Sequence, residues 1–301
     1  MLMPDFIVLG APKAGTTSLY FYLKQHPQIF VPEIKEPGFF AFTGTDLNKI
    51  EFQSDTYMKR VTITEPDKYT SLFENAGADQ KKGDFSTVYL GSPQAPLNIA
   101  RYAPQAKMIA ILRNPIERAF SNFMHRKNAN TEQYRSFLDA VKAEPERLRQ
   151  NWYASYHYIN AGMYSVHLKA YFDQFPRDQI RIYLYEELAQ IDWLIKDLFE
   201  FIGVDPAVPI DTSVKFNTTG KIPRIPWLHR ILQGDKSFKK GLQNSMAVHK
   251  WASIHAFYDK LMLGEPAKMN HHEREVLREI FREDIMLTSS MIGRDLSHWL
   301  A

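Results

Sequence analysis

The stretch FIVLGAPKAGTTSLY, from Phe6 to Tyr20, constrains the fold of this chain more than any other. Phe6 to Leu9 is a short apolar run suited to a strand covered on both faces. Small residues then turn the chain. Ala14 to Gln25 has helical spacing, with Leu19, Tyr22 and Leu23 on one side, and His26-Pro27 ends it. A strand, a glycine-containing turn and a helix start form the layout of a phosphate-binding loop. Backbone N–H groups converge on one point there, and the helix dipole adds about half a positive charge. Gly10 and Gly15 have the separation found in G-x-x-x-x-G-K-[ST], but Thr16 follows Gly15 and the lysine is Lys13, inside the loop. With Lys13 as cation and Thr16, Thr17 and Ser18 as hydroxyl donors, the loop is expected to bind a phosphate or a similar oxyanion.

A second apolar run, Lys107 to Leu112, predicts another strand. It ends in Arg113 rather than in the acid that a magnesium-dependent triphosphatase needs. The second polar site at this sheet edge is therefore cationic, and no metal is expected. Asn114 and Pro115 supply an N-cap and a first helical residue for a helix through about Lys127, with Ile116, Ala119, Phe120, Phe123 and Met124 as its apolar stripe. Met163 to Phe175 reads as a helix, Ile180 to Tyr185 as a strand, and Ile191 to Ile202 as a helix closed by Gly203. Alternating strands and helices imply an α/β fold with a parallel sheet. From Pro226 onward no strand is evident, and HHEREVLREIFREDIMLTSSMIG is strongly helical.

Composition sets the outer limits. The 301 residues suffice for one large domain with a sizeable core. The absence of cysteine excludes disulfides and thiolate chemistry, and a reducing, cytoplasmic setting is the simplest expectation. A net charge of +3 is too mild to argue for nucleic acid. No apolar run is long enough to span a bilayer, and residues 1–5 lack the features of a signal peptide, so no membrane association is expected.

GAPKAGTTSL resembles the 5′-phosphosulfate loop of the sulfotransferases that use 3′-phosphoadenylyl sulfate (PAPS). ILRNPIERAFSNFMH resembles the same family's 3′-phosphate motif, with Arg113 at the strand end and Ser121 eight residues later. Ser121 would lie about 9 Å up the helix from Pro115, off the apolar stripe. KEPGFF, KGDFSTVYL, NAGMYSVHLKAYFDQFPRDQIRIYLYEEL and FNTTGKIPR are similar to further blocks of the bacterial and heparan-sulfate-type branch, so the resemblance covers Asp5 to Arg224. It implies an α/β, P-loop-containing three-layer sandwich with a central parallel sheet flanked by helices. The chain then divides into a nucleotide-binding core (1–225) and a helical C-terminal region (226–301) of one domain.

The resemblance also implies roles. Lys13, Ala14, Gly15, Thr16, Thr17 and Ser18 would hold the 5′ end of PAPS or of the product PAP (3′-phosphoadenosine 5′-phosphate). Arg113 and Ser121 would hold the 3′-phosphate, and Thr219, Gly220, Lys221 and Arg224 would form a closing basic loop. Lys13 would neutralise charge on the leaving oxygen. Glu36, in KEPGFF, matches the family's catalytic base, and the acceptor would be a small molecule or a saccharide. Gly38 and Phe85 depart from the heparan-sulfate-type enzymes, which often carry histidine and lysine there, and so point away from a heparan-like acceptor.

Other residues keep two readings. Tyr164 could stack on adenine or pack in the core. His125 is a competing base or an ordinary helix histidine. Asp84 reads as a hydrogen-bonding anchor of its loop, the adjacent His271 and His272 diverge on a helix, and Lys236, Lys239 and Lys240 read as a solvated face or a surface for an acidic acceptor. A P-loop kinase and a non-catalytic nucleotide-binding module are the alternative functions.

Overall fold

The computed structural model describes residues 2–53, 55–213, 221–223 and 263–301, with the two short strands 221–223 and 263–266 as backbone. Five parallel strands form the central sheet: β1 (Phe6–Gly10), β2 (Ile29–Phe30), β3 (Lys81–Phe85), β4 (Lys107–Leu112) and β5 (Ile180–Leu184). Their spatial order is β2-β3-β1-β4-β5. Phe6 pairs with Gly83 on one side and with Lys107 on the other. Every residue of β1 is buried, as is all of β4 beyond Lys107, because helices cover both faces. The chain runs from β1 out to one edge and then crosses back past β1 to β4. Strand order therefore reverses beside β1, where α/β sheets open a ligand crevice at the carboxyl ends of their strands.

The flanking helices are α1 (Thr16–Leu23), α2 (Ala95–Tyr102), α3 (Pro115–Asn128), α4 (Tyr164–Phe172), α5 (Ile191–Ile202) and α6 (His271–Ile292). α3 starts as the sequence predicts, with Asn114 Oδ1 accepting from the Ile116 N–H at 3.0 Å. α5 ends at Gly203, whose φ is 87°. α6 opens with a reciprocal capping box between Asn270 and Glu273. It packs on α4 and α3 through Leu277, Phe281 and Ile285. Its buried Asp284 accepts the N–H groups of Tyr164 (2.8 Å) and Ser165 (3.1 Å), so the C-terminal region caps a helix of the core.

Four strands, β2 and β3 of the sheet and the short pair 221–223 and 263–266, are not expected from the sequence. β3 begins with two lysines and contains Gly83, which hides its apolar character. A Cβ at Gly83 would lie 2.2 Å from Phe6 Cζ, so close strand packing requires glycine there. Beyond Pro226, β7 (Leu263–Pro266) pairs antiparallel with β6 (Lys221–Pro223), so the tail is not helical throughout. The sequence LGEP has neither alternation nor β-branched residues to announce a strand.

Candidate active site

The loop after β1 has the conformation its glycines allow. Gly15 stands at φ 87°, and a Cβ on it would meet Leu188 Cδ1 at 2.6 Å. The first turn of α1 has no side-chain cap and no acid, so nothing on the helix competes with an incoming anion for its N–H groups. Gly15, Thr16, Thr17 and Ser18 line a cleft of about 1080 Å³, together with Lys13, Arg113 and Glu36. Ala14 is buried, its N–H donates to the Ala11 carbonyl at 3.2 Å, and it is not among the cleft-lining residues.

Lys13 and Glu36 share an unusual feature. Both are non-glycine residues in the left-handed region, at φ 69° and φ 66°, and both line the cleft. Such a conformation costs about 1–2 kcal/mol and persists where the surroundings impose it. For Lys13 the imposing contact is Arg113, whose Nη1 donates to the Lys13 carbonyl at 2.9 Å. For Glu36 it is the end of β3. The Glu36 N–H donates to the Phe85 carbonyl at 2.9 Å, and the Glu36 carboxylate accepts from the Thr87 N–H at 2.6 Å and from Thr87 Oγ1 at 3.1 Å. Lys35 Nζ adds an ion pair at 2.6 Å.

Electrostatics set Lys13 apart. It has no ion pair among the described residues. Desolvation, and then the charges of Arg126, Arg113 and Lys35, push its pKa down to about 8. Arg113 also lacks an acidic partner among the described residues, and its guanidinium sits 4.7 Å from the centre of the Tyr185 ring. Two cations without acids, beside an uncapped helix start, form a site that fits a large polyanion.

His125 and Arg126 come from α3, which lines the cleft with Asn122 as well, and Ala129 at its C-terminal end adds to the wall. The His125 ring opens onto the cleft, yet the protein packed around it, and then the charges of Lys13 and Arg126, push its pKa down to about 3. Arg126 forms an ion pair with Asp55, which also caps the helix Thr56–Val61.

A family model described as a sulfotransferase domain matches residues 3–264. The chain belongs to the sulfotransferase family. A crystal structure of a sulfotransferase from Alicyclobacillus acidocaldarius is 28% identical to it, with a TM-score of 0.76 over 100% of both chains. The bifunctional heparan sulfate N-deacetylase/N-sulfotransferase 4 of Mus musculus is 27% identical over 256 residues, 78% of this chain and 26% of that protein. The bifunctional heparan sulfate N-deacetylase/N-sulfotransferase 3 of Homo sapiens is 26% identical over 219 residues, 72% of this chain and 24% of that protein. The chain thus spans about a quarter of the length of these curated relatives.

In this sulfotransferase several residues named from sequence stand apart from the cleft. Tyr164 is fully buried; its hydroxyl donates to the Arg113 carbonyl at 2.8 Å and its ring meets Trp299 edge-on. It has no open face for adenine, so it supports Arg113 from behind. Ser121 is half-buried on α3 and is not among the cleft-lining residues, although the adjacent Asn122 is. Thr219, Gly220 and Arg224 lie outside the described residues, as do Lys236, Lys239 and Lys240, and Lys221 is described only as backbone in β6. Asp84 is an anchor, as its sequence context suggests. It accepts from Tyr69 and Tyr89 (both 2.7 Å) and from Ser86 Oγ (2.8 Å), and Ser86 in turn accepts the Gly38 N–H beside Glu36. Burial pushes its pKa up to about 6.

The sequence reading missed Thr87, Asp55, Arg126 and Tyr185. Only Thr87 left a trace, a hydroxyl residue just past a strand end in KGDFSTVYL.

Proposed function

We propose that this chain transfers a sulfuryl group from PAPS to a hydroxyl, or less readily an amine, of a small-molecule or saccharide acceptor. The observation that carries the reading is the joined cation pair: Arg113 bound to the main chain of Lys13, both lining one cleft and neither paired with an acid among the described residues. Family membership supports the reaction type. The first turn of α1, with Lys13, Thr16, Thr17 and Ser18, would hold the 5′-phosphosulfate end, and Arg113 the 3′-phosphate, assisted by Ser121 only if its hydroxyl turns to the cleft.

PAPS supplies an activated sulfuryl group on a phosphate leaving group. Lys13, held by its strained backbone and the Arg113 contact, neutralises the negative charge that grows on the bridging oxygen as it departs. Glu36, oriented by Thr87 and Lys35, accepts the proton of the attacking acceptor hydroxyl. In-line attack places the acceptor oxygen opposite that bridging oxygen, with Glu36 on the acceptor side and Lys13 on the leaving side. The depressed pKa of His125 argues against it as the base.

A thermal-shift comparison of PAP, AMP, ADP and ATP, followed by an acceptor screen with labelled PAPS, tests this reading. PAP should stabilise the protein most, and label should move to an acceptor. Equal or greater stabilisation by ATP would favour a kinase. PAP binding without transfer across a broad panel would favour a non-catalytic binding module.

A further inference from the structure

Glu186 joins Glu36 and Asp55 as an acid in the wall of the cleft, but where those two pair with Lys35 and Arg126, Glu186 pairs with no lysine or arginine among the described residues. It follows Tyr185, the residue on whose ring the Arg113 guanidinium rests. A carboxylate so placed could pair with Arg113 and occupy the site meant for an anion. It does not: Arg113 forms no ion pair among the described residues, and Glu186 Oε1 accepts instead from the indole N–H of Trp299 at 3.0 Å.

Trp299 is built for restraint. Its side chain is 1% exposed. Its carbonyl accepts from Asn114 Nδ2 at 3.0 Å, directly after Arg113, and its ring meets Tyr164, whose hydroxyl holds the Arg113 carbonyl. Arg294 of the same C-terminal segment grips the neighbouring Glu187 with both of its terminal nitrogens, at 2.8 and 3.1 Å. The C-terminal segment therefore holds both chain stretches that frame Arg113.

We propose that Trp299 is a positioning residue for the nucleotide's 3′-phosphate: its indole N–H ties down the Glu186 carboxylate and keeps Arg113 available to the ligand. The inference rests on the reading of Arg113 as the 3′-phosphate residue. It predicts a specific pattern of rescue. Trp299→Phe keeps a ring against Tyr164 but removes the indole bond to Glu186, which leaves the carboxylate with the looser His298 Nε2 contact at 3.9 Å. Because Glu186 is about half exposed, the released carboxylate should weaken PAP by about two- to fivefold, the scale of a screened charge pair, and leave AMP unchanged. Adding Glu186→Gln should restore PAP affinity, since a neutral amide neither pairs with Arg113 nor repels phosphate. A merely structural tryptophan would not be rescued in this way.

Calorimetric titration of wild type, W299F, E186Q and the double variant with PAP and with AMP tests this. Loss of PAP affinity in W299F that E186Q reverses supports the inference. No loss, equal loss for PAP and AMP, or a loss that persists in the double variant overturns it. If wild type binds PAP and AMP equally, the Arg113 reading fails and this inference falls with it. Should W299F not fold, the indole N–H resonance of Trp299 serves in its place. It should move upfield in E186Q, where a charged acceptor becomes a neutral one, and an unmoved resonance overturns the proposal.

Discussion

The Arg113 guanidinium donates to the main-chain carbonyl of Lys13 at 2.9 Å, across a contact that joins the end of β4 to the loop after β1. One side chain thereby shapes the loop and offers its remaining N–H donors to the cleft. Arg113→Lys should fail at one of these tasks, because an ammonium lacks the planar fork that serves two acceptors at fixed angles. PAP affinity should fall by about tenfold or more, the value of one charge-assisted hydrogen bond. Titration showing wild-type affinity in Arg113→Lys would mean that charge alone suffices.

Lys13→Ala should cripple turnover more than binding. The loop N–H groups still hold the 5′-phosphate, but the leaving oxygen loses its cation. The expected loss in kcat is about a hundredfold or more, with a smaller loss in PAP affinity. Near-normal turnover of the variant at saturating PAPS would contradict the role given to Lys13.

The depressed pKa of Lys13 has a signed consequence. In the free protein this lysine loses its proton as pH rises through about 8, well below its ordinary 10.5. A bound polyanion favours the ammonium and pulls that value back up. Between pH 8 and 10, PAP binding should therefore take up protons, and affinity should fall as pH rises, approaching tenfold per unit. Titration at pH 8.5 in two buffers of different ionisation enthalpy measures the uptake. It should vanish in Lys13→Ala, and no uptake in the wild type would contradict the assignment.

Glu36 and His125 make opposite predictions. If Glu36 is the base, Glu36→Gln lowers kcat by about 10²–10⁴-fold and leaves PAP affinity nearly intact. His125→Ala is then mild. Thr87→Val should show a weaker form of the Glu36 defect, because it removes the hydroxyl that orients the carboxylate but keeps the backbone donor. Kinetics of all three variants with one confirmed acceptor separate the cases. Turnover within a few-fold of wild type in Glu36→Gln would sink the proposal.

What the sequence made legible was local. The apolar run of β4, the Asn114-Pro115 start of α3 and the Gly203 end of α5 each follow from a few adjacent residues, and each stands where the pattern put it. The phosphate-loop geometry was equally local. What stayed hidden depends on partners distant in the chain. Thr87 meets Glu36 only because β3 lies beside β2, the strand that leads into Glu36, and delivers the Phe85 carbonyl to the Glu36 N–H. Tyr164 looked like a stacking residue because nothing nearby in sequence shows that Trp299 and the Arg113 carbonyl enclose it. The brief pairing of β6 with β7 was likewise invisible, since LGEP carries no strand pattern of its own.

The most direct test of the central claim is the affinity gap between PAP and AMP in wild type and in Arg113→Ala. A 3′-phosphate held by Arg113 should give wild type a preference for PAP of about 1.5–3 kcal/mol. Arg113→Ala should erase most of that preference. AMP itself should weaken by only about 1 kcal/mol, as the Lys13 carbonyl loses its donor. Equal affinity of the wild type for PAP and AMP, or a preference that survives in Arg113→Ala, would contradict the account.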